Sequence, residues 1–93
     1  MIKRMISQEK CRNQKNESIY LKYYLTEMKA GGKTVYGVLI EKYMVVNRRE
    51  ELESYDYVED LSYNKGDVLG LIKKLAKGLV TPYGLVDVLD DCM

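Results

Sequence analysis

Apolar and polar positions follow two different periods along this chain, and the change between them separates a strand-forming part from a helix-forming part. Ile19, Leu21, Tyr23 and Leu25 alternate with Tyr20, Lys22, Tyr24 and Thr26. A period of two carried by β-branched and aromatic residues predicts a strand that turns the first set inward. Lys29-Ala30-Gly31-Gly32-Lys33 reads as a hairpin loop, because its two glycines accept the positive φ of a tight reversal. A second strand is expected from Thr34 to about Val46. Val35, Leu39 and Val45 lie on one side of it and Val38, Ile40 and Met44 on the other, as in a strand covered on both faces. Gly37 inside that strand marks a bulge or a close contact with a neighbour. The polar run from Asn47 to Glu53 is expected to be a connection or one helical turn. A third strand is expected over Tyr55 to Leu61, with Tyr55 and Tyr57 on one face.

Beyond Asn64 the period becomes helical. Val68, Leu71, Ile72, Leu75 and Leu79 share one stripe, and Lys73, Lys74 and Lys77 point away from it. Asn64 is placed to cap this helix, with Asp67 three positions on as an abbreviated capping box. Gly78 is expected to stop it, Thr81 to cap a second helix and Pro82 to occupy that helix's first turn. The predicted fold class is α+β: a three-stranded antiparallel sheet followed by two C-terminal helices packed on one face, in the order β-β-β-α-α. Residues 1–16 show no sustained period and are expected to form a flexible basic N-terminal arm; residues 17–93 form the single domain.

Composition narrows the functional classes. A chain of 93 residues supports one two-layer core and no deep interdomain cleft. The net charge of +1 divides unevenly, because residues 1–16 carry Lys3, Arg4, Lys10, Arg12 and Lys15 against Glu9 and the remainder is acidic. That arm reads as a solvated leader, with contact to nucleic acid or an acidic partner as the alternative. No apolar run reaches the length of a membrane span and the N-terminus has no signal-peptide core, so the expectation is a cytoplasmic protein without membrane contact. The chain has no histidine, which removes the commonest general base and metal ligand. Cys11 and Cys92 are too far apart in sequence for a metal motif.

Two motif-like segments carry no chemistry. Gly31-Gly32-Lys33-Thr34 imitates the end of a phosphate loop, but lacks the first glycine and joins two strands instead of opening a helix. The C-terminal helix pair is not a DNA reader, since its second helix offers acids and no base. Asp87, Asp90 and Asp91 form a surface acid group, spread too widely over a helix to converge on a cation. The tyrosines are the most suggestive remainder. Tyr20, Tyr24, Tyr36, Tyr43, Tyr55 and Tyr57 fall in or beside strands, interleaved with Lys22, Lys33 and Lys42. Packing, a protein interface and stacking of single-stranded nucleic acid all use tyrosine in this way.

The segments YYLTEMKAGGKTVYGVLIEK and GLVTPYGLVDVLDD resemble a small uncharacterised family of clostridial-type Gram-positive bacteria. The matching positions are Tyr23 or Tyr24, Leu25, Val35, Tyr36, Gly37, Val80, Thr81, Pro82, Leu85, Asp87, Val88 and Asp91, and the resemblance covers residues 17–93. It implies no activity. Residues and resemblance together lead to the expectation of a non-catalytic regulatory or adaptor protein that needs no cofactor. Its candidate interface is Tyr20, Lys22, Tyr24, Tyr55 and Tyr57, and its partner a protein or a second copy. The alternative is a nucleic-acid-binding module using the same Tyr/Lys face and the basic arm.

Overall fold

The computed structural model describes residues 1–92, and side chains as far as Asp90; the side chains of Asp91 and Cys92 lie outside the described residues. Four strands, β1 (Ile2–Arg12), β2 (Ser18–Ala30), β3 (Lys33–Val46) and β4 (Arg49–Ser62), form one antiparallel sheet in chain order. Helix α1 (Lys65–Lys77), a 3-10 turn at Pro82–Gly84 and helix α2 (Leu85–Cys92) follow. The fold class is therefore α+β, with two C-terminal helices packed against the sheet. The sheet has four strands, one more than the sequence pattern indicates.

The additional strand comes from the segment expected to be a flexible arm. Along β1, Cys11 pairs with Ile19 and Met5 with Tyr24, with a bulge between Met5 and Ser7. Its periodicity is weak because an edge strand buries little on either face; only Ser7, Glu9 and Cys11 are half-buried. The β1–β2 turn is built by Asn13, whose side-chain oxygen accepts from the backbone N–H of Lys15 at 3.0 Å and of Glu17 at 2.9 Å. Asn16 takes φ 63 in that turn, a conformation asparagine tolerates.

The Gly31-Gly32 hairpin forms as expected, with φ of 58 and 80. The polar run after β3 does not form a helical turn. Asn47 and Arg48 both adopt left-handed φ, 51 and 66, making a two-residue reversal from which β4 starts at once. Residues 49–55 are all exposed, so this half of β4 pairs with β3 without an apolar pattern to announce it. Gly37 marks a real discontinuity: the β3–β4 register shifts between Tyr36 and Val38. A Cβ at Gly37 would stand 2.0 Å from the carbonyl oxygen of Val58, so only glycine admits this crossing.

The core lies between the helices and one face of the sheet. Ile19, Leu21, Tyr23 and Leu25 of β2 and Val38 and Ile40 of β3 meet Val68, Ile72, Leu75 and Ala76 of α1 and Leu85 and Leu89 of α2. The Tyr23 hydroxyl donates to the Val80 carbonyl at 2.8 Å and so fixes the loop between the helices. Asn64 caps α1 by accepting from the Asp67 N–H at 3.2 Å. At the other end the helix stops at Gly78 as expected, but the left-handed residue comes one position later. Gly78 keeps φ −85, and Leu79 takes the left-handed position at φ 52. Val80 N–H then donates to Leu75 and Leu79 N–H to Ala76, the paired bonds of a Schellman motif. Leu79 is thereby turned 43% exposed, off the apolar stripe. Thr81 makes no side-chain cap, and Pro82 is buried at the start of the 3-10 turn that precedes α2 instead of in the first turn of α2 itself.

Candidate functional site

With the helices on one face, alternation sends the other residues of every strand to the opposite face, and the registers align them in rows. One row runs Met5, Tyr24, Leu39, Tyr57; the next Gln8, Lys22, Glu41, Tyr55; the third Lys10, Tyr20, Tyr43, Leu52. All five residues of the expected interface, Tyr20, Lys22, Tyr24, Tyr55 and Tyr57, therefore share this open face. Tyr43 joins them. Tyr36 does not: it packs against the core on the helix side. Of the interleaved lysines, only Lys22 belongs here. Lys42 points to the helix face and reaches Glu53 at 3.3 Å, and Lys33 sits at the hairpin, over the Tyr63 ring at 5.7 Å.

The middle of the face is an ordered polar cluster. Glu41 is only 8% exposed, accepts from the Tyr43 hydroxyl at 3.0 Å and pairs with Lys3 at 3.4 Å. Burial alone would raise its pKa, but the hydroxyls of Tyr24 and Tyr43 and the Lys3 ammonium outweigh burial and hold the carboxyl below its ordinary value. Burial and Glu41 in turn push the Tyr24 and Tyr43 hydroxyls up. Lys22 bonds Glu50 at 2.9 Å, which raises its pKa, and lies 4.3 Å from the centre of the Tyr43 ring. Lys3 and Lys10 stand over the rings of Tyr24 and Tyr20 at 4.8 and 5.9 Å. Such cation–π contacts hold the lysine stems flat along the sheet.

Around this cluster the face is apolar and open. Tyr55 and Tyr57 are 59% and 47% exposed, with rings stacked at 6.3 Å and nearly parallel. Met5 and Leu52 at the two edges are also exposed. Charge is sorted by edge. β1 carries Lys3, Arg4, Lys10 and Arg12 against Glu9, whereas β4 carries Glu50, Glu51, Glu53, Asp56, Glu59 and Asp60 against Arg49. The expected surface acids are elsewhere. Asp87 and Asp90 are exposed on α2, and Asp87 lies in its first turn, where the helix dipole favours a carboxylate. Asp91 falls outside the described side chains.

Glu41, Tyr43, Lys3 and Glu50 are members of the cluster that sequence reasoning did not single out. Glu41 left a signal, as the one acid in the segment GVLIEKYM, where only it and Lys42 carry charge. Lys3 left none, because its role depends on β1 being a strand. Among the described residues no group of three potential ligands converges on a metal position, and no helix is long and apolar enough to cross a membrane.

The chain belongs to a family of unknown function (DUF6514), whose family model matches residues 2–93. The match takes in the basic N-terminal segment, which the sequence resemblance had left outside. No curated protein and no solved structure matches the chain.

Proposed function

We propose that this is a non-catalytic binding protein, a small cytoplasmic regulator or adaptor that acts by protein–protein contact through the open face of its sheet. A clostridial-type Gram-positive origin belongs to the same reading and rests on the resemblance of the Val-Tyr-Gly and Val-Thr-Pro segments. One observation carries the proposal. Tyr55, Tyr57 and Leu52 are large side chains exposed beside one another along β4, on a face that no described element of the chain covers. Contiguous exposed apolar surface of this kind marks interfaces, and tyrosine is a favoured anchor in them. The nucleic-acid alternative draws on the same tyrosines, but Lys3 and Lys22 beside them already pair with Glu41 and Glu50, and Glu50 places an acid on the β4 side of the face. A strand of phosphates would meet repulsion there.

The test is site-specific photo-crosslinking. A photoreactive side chain at position 55 or 57, on the open face, is compared with one at position 73, on the outer side of α1, in extract of the native cell. Protein adducts confined to 55 and 57 support the reading; adducts equal at all three positions, or absent from all, defeat it. A single-stranded oligonucleotide bound more tightly than about 10 μM at physiological salt, and lost in Tyr55→Ala/Tyr57→Ala, would transfer the face to nucleic acid.

A further inference from the structure

The sheet is electrically polarised across its strands. On the open face β1 presents Lys3, Lys10 and Arg12 and β4 presents Glu50, whereas Arg4, Glu9, Glu51 and Asp56 fall in the registers of the helix side. The same sign order continues inward on the open face, with Lys22 on β2 and Glu41 on β3, paired in one row. A face that is basic on one side and acidic on the other is complementary to itself, in one orientation only. We infer that the occupant of the open face is a second copy of this chain, packed face to face about a two-fold axis that runs along the strands between β2 and β3. The inference rests on the reading of that face as a protein interface.

Symmetry decides the orientation. A two-fold axis along the strands exchanges left for right and keeps each row at its own level. It therefore sets β1 of one copy against β4 of the other, with the exposed Arg12 opposite the second copy's exposed Glu50, a contact that occurs twice. An axis across the strands would set β1 on β1 and β4 on β4, stacking like charges. Charge complementarity excludes that arrangement and keeps the favoured one in register. The favoured axis also brings Met5 against the second copy's Tyr57, so the exposed apolar residues at opposite edges cover one another. Two sheets related in this way form an aligned sandwich. With principal extents of 45 × 26 × 17 Å, the molecule has a face broad enough for the about 800 Å² per partner of a standard stable interface.

Edge-to-edge pairing of β1 with β4 of a neighbour uses the same charges but leaves Tyr55 and Tyr57 exposed. It is also head-to-tail, so it continues as an open chain instead of closing at two. The bulge between Met5 and Ser7 and the charged residues of β1 work against it.

A charge-swap experiment on the full chain tests the inference. Arg12 and Glu50 are both exposed, so Arg12→Glu and Glu50→Arg leave the core untouched, which circular dichroism verifies. Sedimentation velocity should show a closed wild-type dimer with a dissociation constant on the order of micromolar or tighter, weakening as salt rises. Each variant alone should self-associate roughly tenfold more weakly, since like charges then face each other twice. An equimolar mixture of the two variants should recover the wild-type affinity as a heterodimer, because every facing pair is again opposite in sign. A wild-type chain still monomeric at about 100 μM would overturn the inference, as would a ladder of species above the dimer. A dimer indifferent to both charge reversals would also overturn it, since the orientation would then not be set by charge. In each of these cases crosslinks from positions 55 and 57 to some other protein would leave the reading of the face as an interface standing, so the two failures are separable.

Discussion

Tyr23 and Tyr24 are adjacent in sequence and have opposite fates. Tyr23 points to the helix side, is fully buried and donates its hydroxyl to Val80. Tyr24 points to the open side, is half-buried and lies under Lys3 beside Glu41. The same contrast extends over the two faces. The helix face is closed by complementary apolar side chains, and its one buried hydroxyl satisfies a loop carbonyl. The open face keeps its order by charge and hydrogen bonding, with a carboxylate held between two tyrosines and a lysine. A side chain on the first face is specified by what it packs on, whereas Tyr55 and Tyr57 on the second remain exposed.

The contrast implies different costs for damage on the two sides. The largest effect should come from the helix face. Leu75→Ala should lower unfolding free energy by about 2–5 kcal/mol, because Leu75 is 1% exposed at the centre of the contact between α1 and the sheet. Lys74→Ala, on the outer side of α1, should change it by less than about 0.5 kcal/mol. Equal urea midpoints for the two variants would break the assignment of the buried stripe.

An intermediate effect separates the neighbouring tyrosines. Tyr23→Phe should cost roughly 1–2 kcal/mol, since it leaves the Val80 carbonyl without its donor at a part-buried position. Tyr24→Phe should cost less, because Glu41 keeps Tyr43 and Lys3. The same denaturation measurement checks both, and a larger loss for Tyr24→Phe would make the open face the more structural of the two.

The smallest effect is a pH dependence. The Glu41 carboxyl is held below its ordinary value, so the stability it contributes is present above the unfolded-state pKa and disappears as pH falls through the lower folded-state pKa. Wild-type stability should accordingly decline more steeply between about pH 5 and pH 3 than that of Glu41→Gln, which has no such group to protonate. Parallel declines would show that the cluster on the open face contributes nothing through charge.

Much of this architecture is legible in the sequence. The alternation in β2 identifies its buried face, the double-sided apolar pattern of β3 identifies a central strand, and Gly37 announces the crossing by β4. Asn64 stands at the start of α1 as its chemistry requires, and Pro82 opens the 3-10 turn that leads into α2. Two segments depart from what the sequence pattern predicts, and for one reason. β1 and the first half of β4 are strands whose faces are largely solvated, so neither carries the hydrophobic alternation from which a strand is recognised. Their pairing is by backbone hydrogen bonds to a neighbour, which side-chain pattern does not encode.

The sequence by itself determined the buried face of β2 and the Val68, Ile72 and Leu75 stripe of α1, because hydrophobic period is set locally and survives in any arrangement that covers one face. It also placed Tyr20, Lys22, Tyr24, Tyr55 and Tyr57 in strands. Only the tertiary structure decided that these five share a face, that Lys3 returns from the start of the chain to reach Glu41, and that basic and acidic residues are sorted to opposite edges of the sheet. Those are consequences of strand order and register. Each depends on contacts between residues distant in sequence, whose free energy exists only once the strands are side by side.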